Sequence, residues 1–151
     1  MNIKMLLCFL SIVFTPYYLN NTYADNLSTD ISVSKAWVMA MPPSQPNSAA
    51  YMTISNNSSQ EIVMTSVSSD IAASAEIHET SDTNDMMHMA TITSLHIPAG
   101  GSLQLKPGGF HIMLVNLKIP LKPGDAVPIT LHFEDGSSST VDAKVKLPEE
   151  Y

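Results

Sequence analysis

The chain has 151 residues, with 14 Asp and Glu against seven Lys, no Arg, one Cys and ten Met. A formal net charge of −7 leaves no cationic face for nucleic acid or an anionic membrane. A single Cys excludes a disulfide framework and a Cys-x-x-Cys redox pair.

Residues 1–24 read as a secretory signal peptide. Lys4 supplies the positive start, Met5 to Phe14 the apolar run, and Thr22-Tyr23-Ala24 a cleavage site before Asp25. Pro16 and Asn20-Asn21-Thr22 keep the apolar run below the ~18 residues of a spanning helix. A lipid anchor on Cys8 is disfavoured because Leu6-Leu7, not small residues, precede it. Cleavage removes Cys8 and Lys4, leaving residues 25–151 with no thiol and a formal charge of −8. The expected product is one periplasmic domain of about 127 residues, monomeric and with no membrane span.

From residue 31 onward, short runs rich in Val, Ile, Thr and aromatics alternate with turn signals. Strands are predicted near 31–39, 48–55, 61–67, 74–80, 86–94, 102–105, 110–117, 127–133 and 139–146. Between them lie Pro42-Pro43-Ser44-Gln45-Pro46, Asn56-Asn57-Ser58-Ser59, Pro98-Ala99-Gly100-Gly101, Lys106-Pro107-Gly108-Gly109, Lys122-Pro123-Gly124-Asp125 and Glu134-Asp135-Gly136-Ser137. No window carries a long helical apolar stripe, so the class is all-β, an antiparallel sandwich or barrel. Sequons at Asn26, Asn56 and Asn57 matter only in a host that glycosylates secreted proteins.

The chemistry is concentrated between His78 and Met113. Four donors stand as His78-x10-Met89-x21-His111-x-Met113. Strand alternation places His111 and Met113 on one face and Phe110, Ile112 and Leu114 on the other, facing the core. Met87 and Met89 share a face in the same way, while His78 is expected near its strand's end, before a polar loop at Ser81–Asp85. A lone Met on a strand is usually core filler and a lone His a surface residue, the reading given to Met52, Met64, His96 and His132. The combined spacing arises by chance roughly once in a thousand such chains, so the set, and no single member, carries the reading.

Two imidazoles and two thioethers select Cu(I). Thioethers are soft and uncharged, weak toward Zn²⁺, Mg²⁺ and iron, and blue copper or structural zinc would call for cysteine. A neutral donor set leaves a singly charged complex, suited to capture and release.

The pattern resembles the PCuAC family of periplasmic copper chaperones, over residues 31–146. The similarity extends to Ala75-Glu76-Ile77-His78, Ile97-Pro98-Ala99-Gly100-Gly101, Leu105 through Leu114, Ala36-Trp37, Pro42-Pro43 and Ala49-Ala50-Tyr51. It implies a cupredoxin-like antiparallel β-sandwich (Greek key) and a solvent-near Cu(I) site formed by His78, Met89, His111 and Met113. It also implies delivery of copper toward the Cu(A) centre, with cytochrome c oxidase subunit II or another copper-assembly protein as recipient. The chain departs from many members in having Glu79 after the first His and Met39 where Arg is common. Met39 and Met41 are assigned to packing or partner contact ahead of a secondary soft contact. Met86 and His88 are expected to enrich the site's surroundings. Some members carry a His/Met-rich C-terminal extension associated with Cu(II). This sequence ends Lys146-Leu147-Pro148-Glu149-Glu150-Tyr151, so Cu(II) binding is expected to be weaker or to depend on His88. A copper buffer or resistance protein using the same four residues is the alternative. An enzyme is not expected, because a catalytic copper needs an open position and more histidine.

Overall fold

A computed structural model describes residues 30–83 and 86–147. The expected signal peptide, Cys8, the Asn26 sequon, the C-terminal end and the surroundings of the Met86 side chain lie outside what it describes. Ten strands follow one another: β1 (Ile31–Met39), β2 (Ser48–Asn56), β3 (Ile62–Ser68), β4 (Ala72–Thr83) and β5 (Met86–Thr91), then β6 (Leu95–Ile97), β7 (Ser102–Leu105), β8 (Phe110–Leu117), β9 (Ala126–Phe133) and β10 (Ser138–Lys146). The described residues form an all-β sandwich.

Hydrogen bonding runs in the order β5-β4-β8-β2-β1-β10-β9-β3-β6, with β7 added to β2. All pairs are antiparallel except β1 with β10, where Trp37, Val38 and Met39 run parallel to Lys144, Val145 and Lys146. A register shift in β1 between Ser34 and Trp37, with Lys35 at φ 52°, bulges the strand. Such a bulge adds twist, here at the strand that joins the two halves of the sheet.

Alternation builds the core. Val38, Ala50, Ile77, Ile112 and Leu114 from one half and Met64, Ile97, Val127, Ile129, Leu131 and Val145 from the other belong to a single buried cluster. Met52 and Met64 are in it, as expected of core methionines.

Two expectations are corrected. β4 continues to Thr83, so His78 lies mid-strand and Ser81, Asp82 and Thr83 pair with His88, Met87 and Met86 instead of forming a loop. The strand expected over 86–94 ends at Thr91, and a further short strand, Leu95–Ile97, leaves for the other half to pair with β3. Asn56, part of one sequon, ends β2 and is buried.

Turn chemistry closes the last hairpin. The Asp135 carboxylate accepts hydrogen bonds from the Ser137 amide (2.8 Å) and hydroxyl (2.6 Å), which hold its carboxyl below the usual range. This depressed value makes the contact an asset at neutral pH that fades as acid protonates the group.

Candidate metal centre

Strand register brings distant residues together. In the β4–β8 ladder His78 is directly opposite His111, and Glu76 opposite Met113. In the β4–β5 ladder Thr80 is opposite Met89 and His78 opposite Thr91. In the β2–β8 ladder Ala49 is opposite Met113. Because residues two apart share a face, one outer face carries Met87, Met89, Thr91, Glu76, His78, Thr80, His111, Met113, Ala49 and Tyr51. The alternate residues Ile77, Ile112, Leu114 and Ala50 are buried in the core behind it.

His88, opposite Ser81, points to the other face from Met89 and is exposed. It stands apart from the four donors, on the face that strand alternation assigns it.

The two histidines are fixed by different partners. The rings of His78 and His111 have centroids 5.7 Å apart. His111 is only 4% exposed, and its Nδ1 lies 3.0 Å from the Gly109 carbonyl oxygen. A carbonyl only accepts, so Nδ1 carries the hydrogen and Nε2 keeps the lone pair. The acceptor is held by the Lys106–Gly109 turn, in which the Gly109 amide donates to the Lys106 carbonyl (3.1 Å). Gly108 there has φ +74°, a conformation that favours glycine.

His78 has the opposite polarity. Its Nε2 lies 2.9 Å from Glu76 Oε2 and 3.2 Å from the Thr91 hydroxyl. With a carboxylate as acceptor, Nε2 carries the hydrogen and Nδ1 the lone pair. This hydrogen bond from His78 holds the Glu76 carboxyl below its ordinary range. His78 Nδ1 is buried and has no hydrogen-bond partner. A buried polar atom left unpaired costs about 1–3 kcal/mol, and a bound metal would satisfy it.

A cavity of about 290 Å³ opens over this face, and Met89, His111 and Met113 line it together with Met39, Met41 and Met87. His78 stands beside His111, outside that lining, with 13% of its side chain exposed. Tyr51 packs on the far side, its ring centroid 6.3 Å from that of His111 and 4.5 Å from that of Trp37. The roles of Glu76, Thr91 and the Gly109 carbonyl were not read from sequence. The i, i+2 relation of Glu76 to His78 was the available signal.

Among the described residues, no group of three or more His, Cys, Asp and Glu is arranged to hold a metal ion. What shares this face is two imidazoles and a set of thioethers, a donor chemistry that fits a soft monovalent ion and not zinc or magnesium.

A β-sandwich with a neutral imidazole–thioether patch on one outer face defines a cupredoxin-like soft-donor domain. The model of the family described as "Putative lipoprotein LpqE-like" matches residues 31–145. The chain belongs to this family, the PCuAC family. A putative lipoprotein of Leifsonia xyli subsp. xyli, Lxx21020, is 41% identical over 117 residues, covering 77% of this chain and 69% of its own. The solution structure of Cu(I)-DR1885 from Deinococcus radiodurans is similar with a TM-score of 0.61 and 42% identity, over 74% of each chain. The copper-bound PCuAC domain from PmoF2 has a TM-score of 0.67 at 24% identity, over 79% of this chain and 94% of its own, a likeness of fold.

Proposed function

We propose that the protein is an exported Cu(I) carrier without catalytic activity. It holds one Cu(I) with His78, Met89, His111 and Met113, and it passes copper toward the Cu(A) centre of cytochrome c oxidase in the periplasm. One observation carries this reading. The paired histidines keep lone pairs on opposite ring nitrogens, with Met113 two residues from His111 and Met89 on the same face. The similarity to Cu(I)-DR1885 supports the metal and its oxidation state. The name of the Leifsonia relative, a putative lipoprotein, supports export.

His78 has to present Nδ1 to the metal, and Glu76 sets that orientation. Replacing Glu76 by Ala is expected to weaken Cu(I) binding about 10- to 100-fold, the usual effect of losing a group that orients a metal-binding histidine. Glu76→Gln should retain most of the affinity, because its amide oxygen accepts the same N–H. Competition titrations of both variants against a Cu(I) chelator check this. Equal affinity of Glu76→Ala and wild type would remove Glu76 from the account.

Delivery is tested in the host. Deleting the gene is expected to lower oxidase activity when copper is scarce, with recovery on added copper. Unchanged oxidase activity, together with increased sensitivity to copper, would identify a buffer using the same four residues.

A further inference from the structure

The four proposed ligands leave three thioethers of the same cavity unassigned. Met39 ends β1, Met41 follows it, and Met87 lies two residues before Met89 on the edge strand β5. All three line the cavity beside Met89, His111 and Met113.

Packing accounts for Met52 and Met64, which are buried in the core. It does not account for Met87, which is 73% exposed, or for Met89, which is 57% exposed. A side chain left in water gains no burial energy, and an exposed position on an edge strand is ordinarily polar or charged. Met39 and Met41 reach the same opening from β1 and the segment after it, on the same face as Met87 but three strands away across β2, β8 and β4. What these residues share is a neutral, polarizable sulfur on a flexible arm. Several such donors around one opening select Cu(I) or Ag(I) and reject Cu(II), Zn²⁺ and the hard divalent ions.

We propose that Met39, Met41 and Met87 form a second, weaker site for a soft monovalent ion at the mouth of the cavity. This all-thioether site lies next to the His/Met set and gives copper a staging position on its way in or out. Three uncharged donors and no imidazole make it the looser of the two positions. The proposal rests on the reading of the His/Met set only for the order in which the two sites fill.

Ag(I), which mimics Cu(I) without changing oxidation state, is the probe. It is titrated into the exported protein, with bound stoichiometry read by native mass spectrometry and affinity by calorimetry. Wild type is expected to bind two Ag(I) in two steps. The triple variant Met39→Leu, Met41→Leu, Met87→Leu keeps the apolar volume of each side chain and should lose the weaker step alone. The double variant His111→Ala, Met113→Ala should lose the tighter step alone. A single step in wild type, or two steps in the triple leucine variant, would overturn the proposal. Should the double alanine variant keep both steps while the triple leucine variant loses one, the second site stands and the His/Met ligand set fails.

Discussion

Replacing His111 and Met113 together by alanine is expected to abolish tight Cu(I) binding while leaving the sandwich folded. His111 supplies the more deeply buried imidazole of the face, and Met113 the thioether two residues along the same strand. Their loss should exceed the roughly 10- to 100-fold cost of removing an orienting partner, because donor atoms themselves are gone. The fold tolerates the change because the core side of β8 is untouched: Ile112 and Leu114 remain fully buried. The Gly109 carbonyl, which accepts from His111, also accepts from the Thr80 amide at 3.1 Å and is not orphaned. Thermal unfolding of the metal-free variant separates a folded protein that cannot bind from an unfolded one. A folded variant that binds Cu(I) as tightly as wild type would mean that the ligand assignment is wrong.

Asn56→Ala is expected to be the most destabilising polar substitution outside the site, at about 2–4 kcal/mol. Asn56 is 1% exposed and all of its hydrogen-bonding capacity is used. Its two Nδ2 hydrogens serve three carbonyls, those of Gln60 (2.7 Å), Ile97 (3.1 Å) and Pro98 (3.2 Å), so one hydrogen is shared. Its Oδ1 accepts from the amide (2.9 Å) and hydroxyl (2.7 Å) of Ser58. One side chain thus ties the end of β2 to β6 and to two loops. Alanine strands these groups where water does not easily replace the lost partner. Asn56→Asp fares no better, because a carboxylate offers no N–H and faces carbonyl oxygens. Denaturant unfolding measures the loss, and less than about 1 kcal/mol would show that the loop relaxes to satisfy itself. Copper binding should survive. Asn56 lies five residues along β2 from Tyr51, about 16 Å at the usual strand rise.

The alternation from Phe110 to Leu114 was legible in the sequence because β8 is sandwiched between core and cavity. One set of side chains must then be apolar and the other is free to carry chemistry. The extent of β4 was not legible. Ser81, Asp82 and Thr83 look like loop residues, yet a hairpin at the edge of the sheet tolerates polar side chains, and pairing with Met86–His88 extends it. That extension moves His78 to mid-strand, where register sets it opposite His111. Spacing along the chain can nominate both residues, but only the ladder pairs them. Leu95-His96-Ile97 was missed for a related reason. Three residues are too few to show a period, and the switch to the other half of the sheet rests on pairing with Ile62–Met64. The sandwich class itself was legible from many short strands and frequent turns. The parallel contact of β1 with β10 joins the two ends of the described domain and leaves no local trace. Asn56 shows the limit most clearly. An Asn in an Asn-Asn-Ser-Ser stretch reads as a turn residue, and its long-range role depends on Ile97 and Pro98, more than forty positions away.

The account's central claim is that copper sits on this face between imidazole nitrogen and thioether sulfur. Copper-edge X-ray absorption of the exported protein, loaded anaerobically with one equivalent of Cu(I), tests it most directly. The account predicts one tightly bound copper with a mixed nitrogen and sulfur shell and the edge of a Cu(I) ion. A shell of nitrogen and oxygen alone, or no tight binding against a Cu(I) chelator, would contradict it.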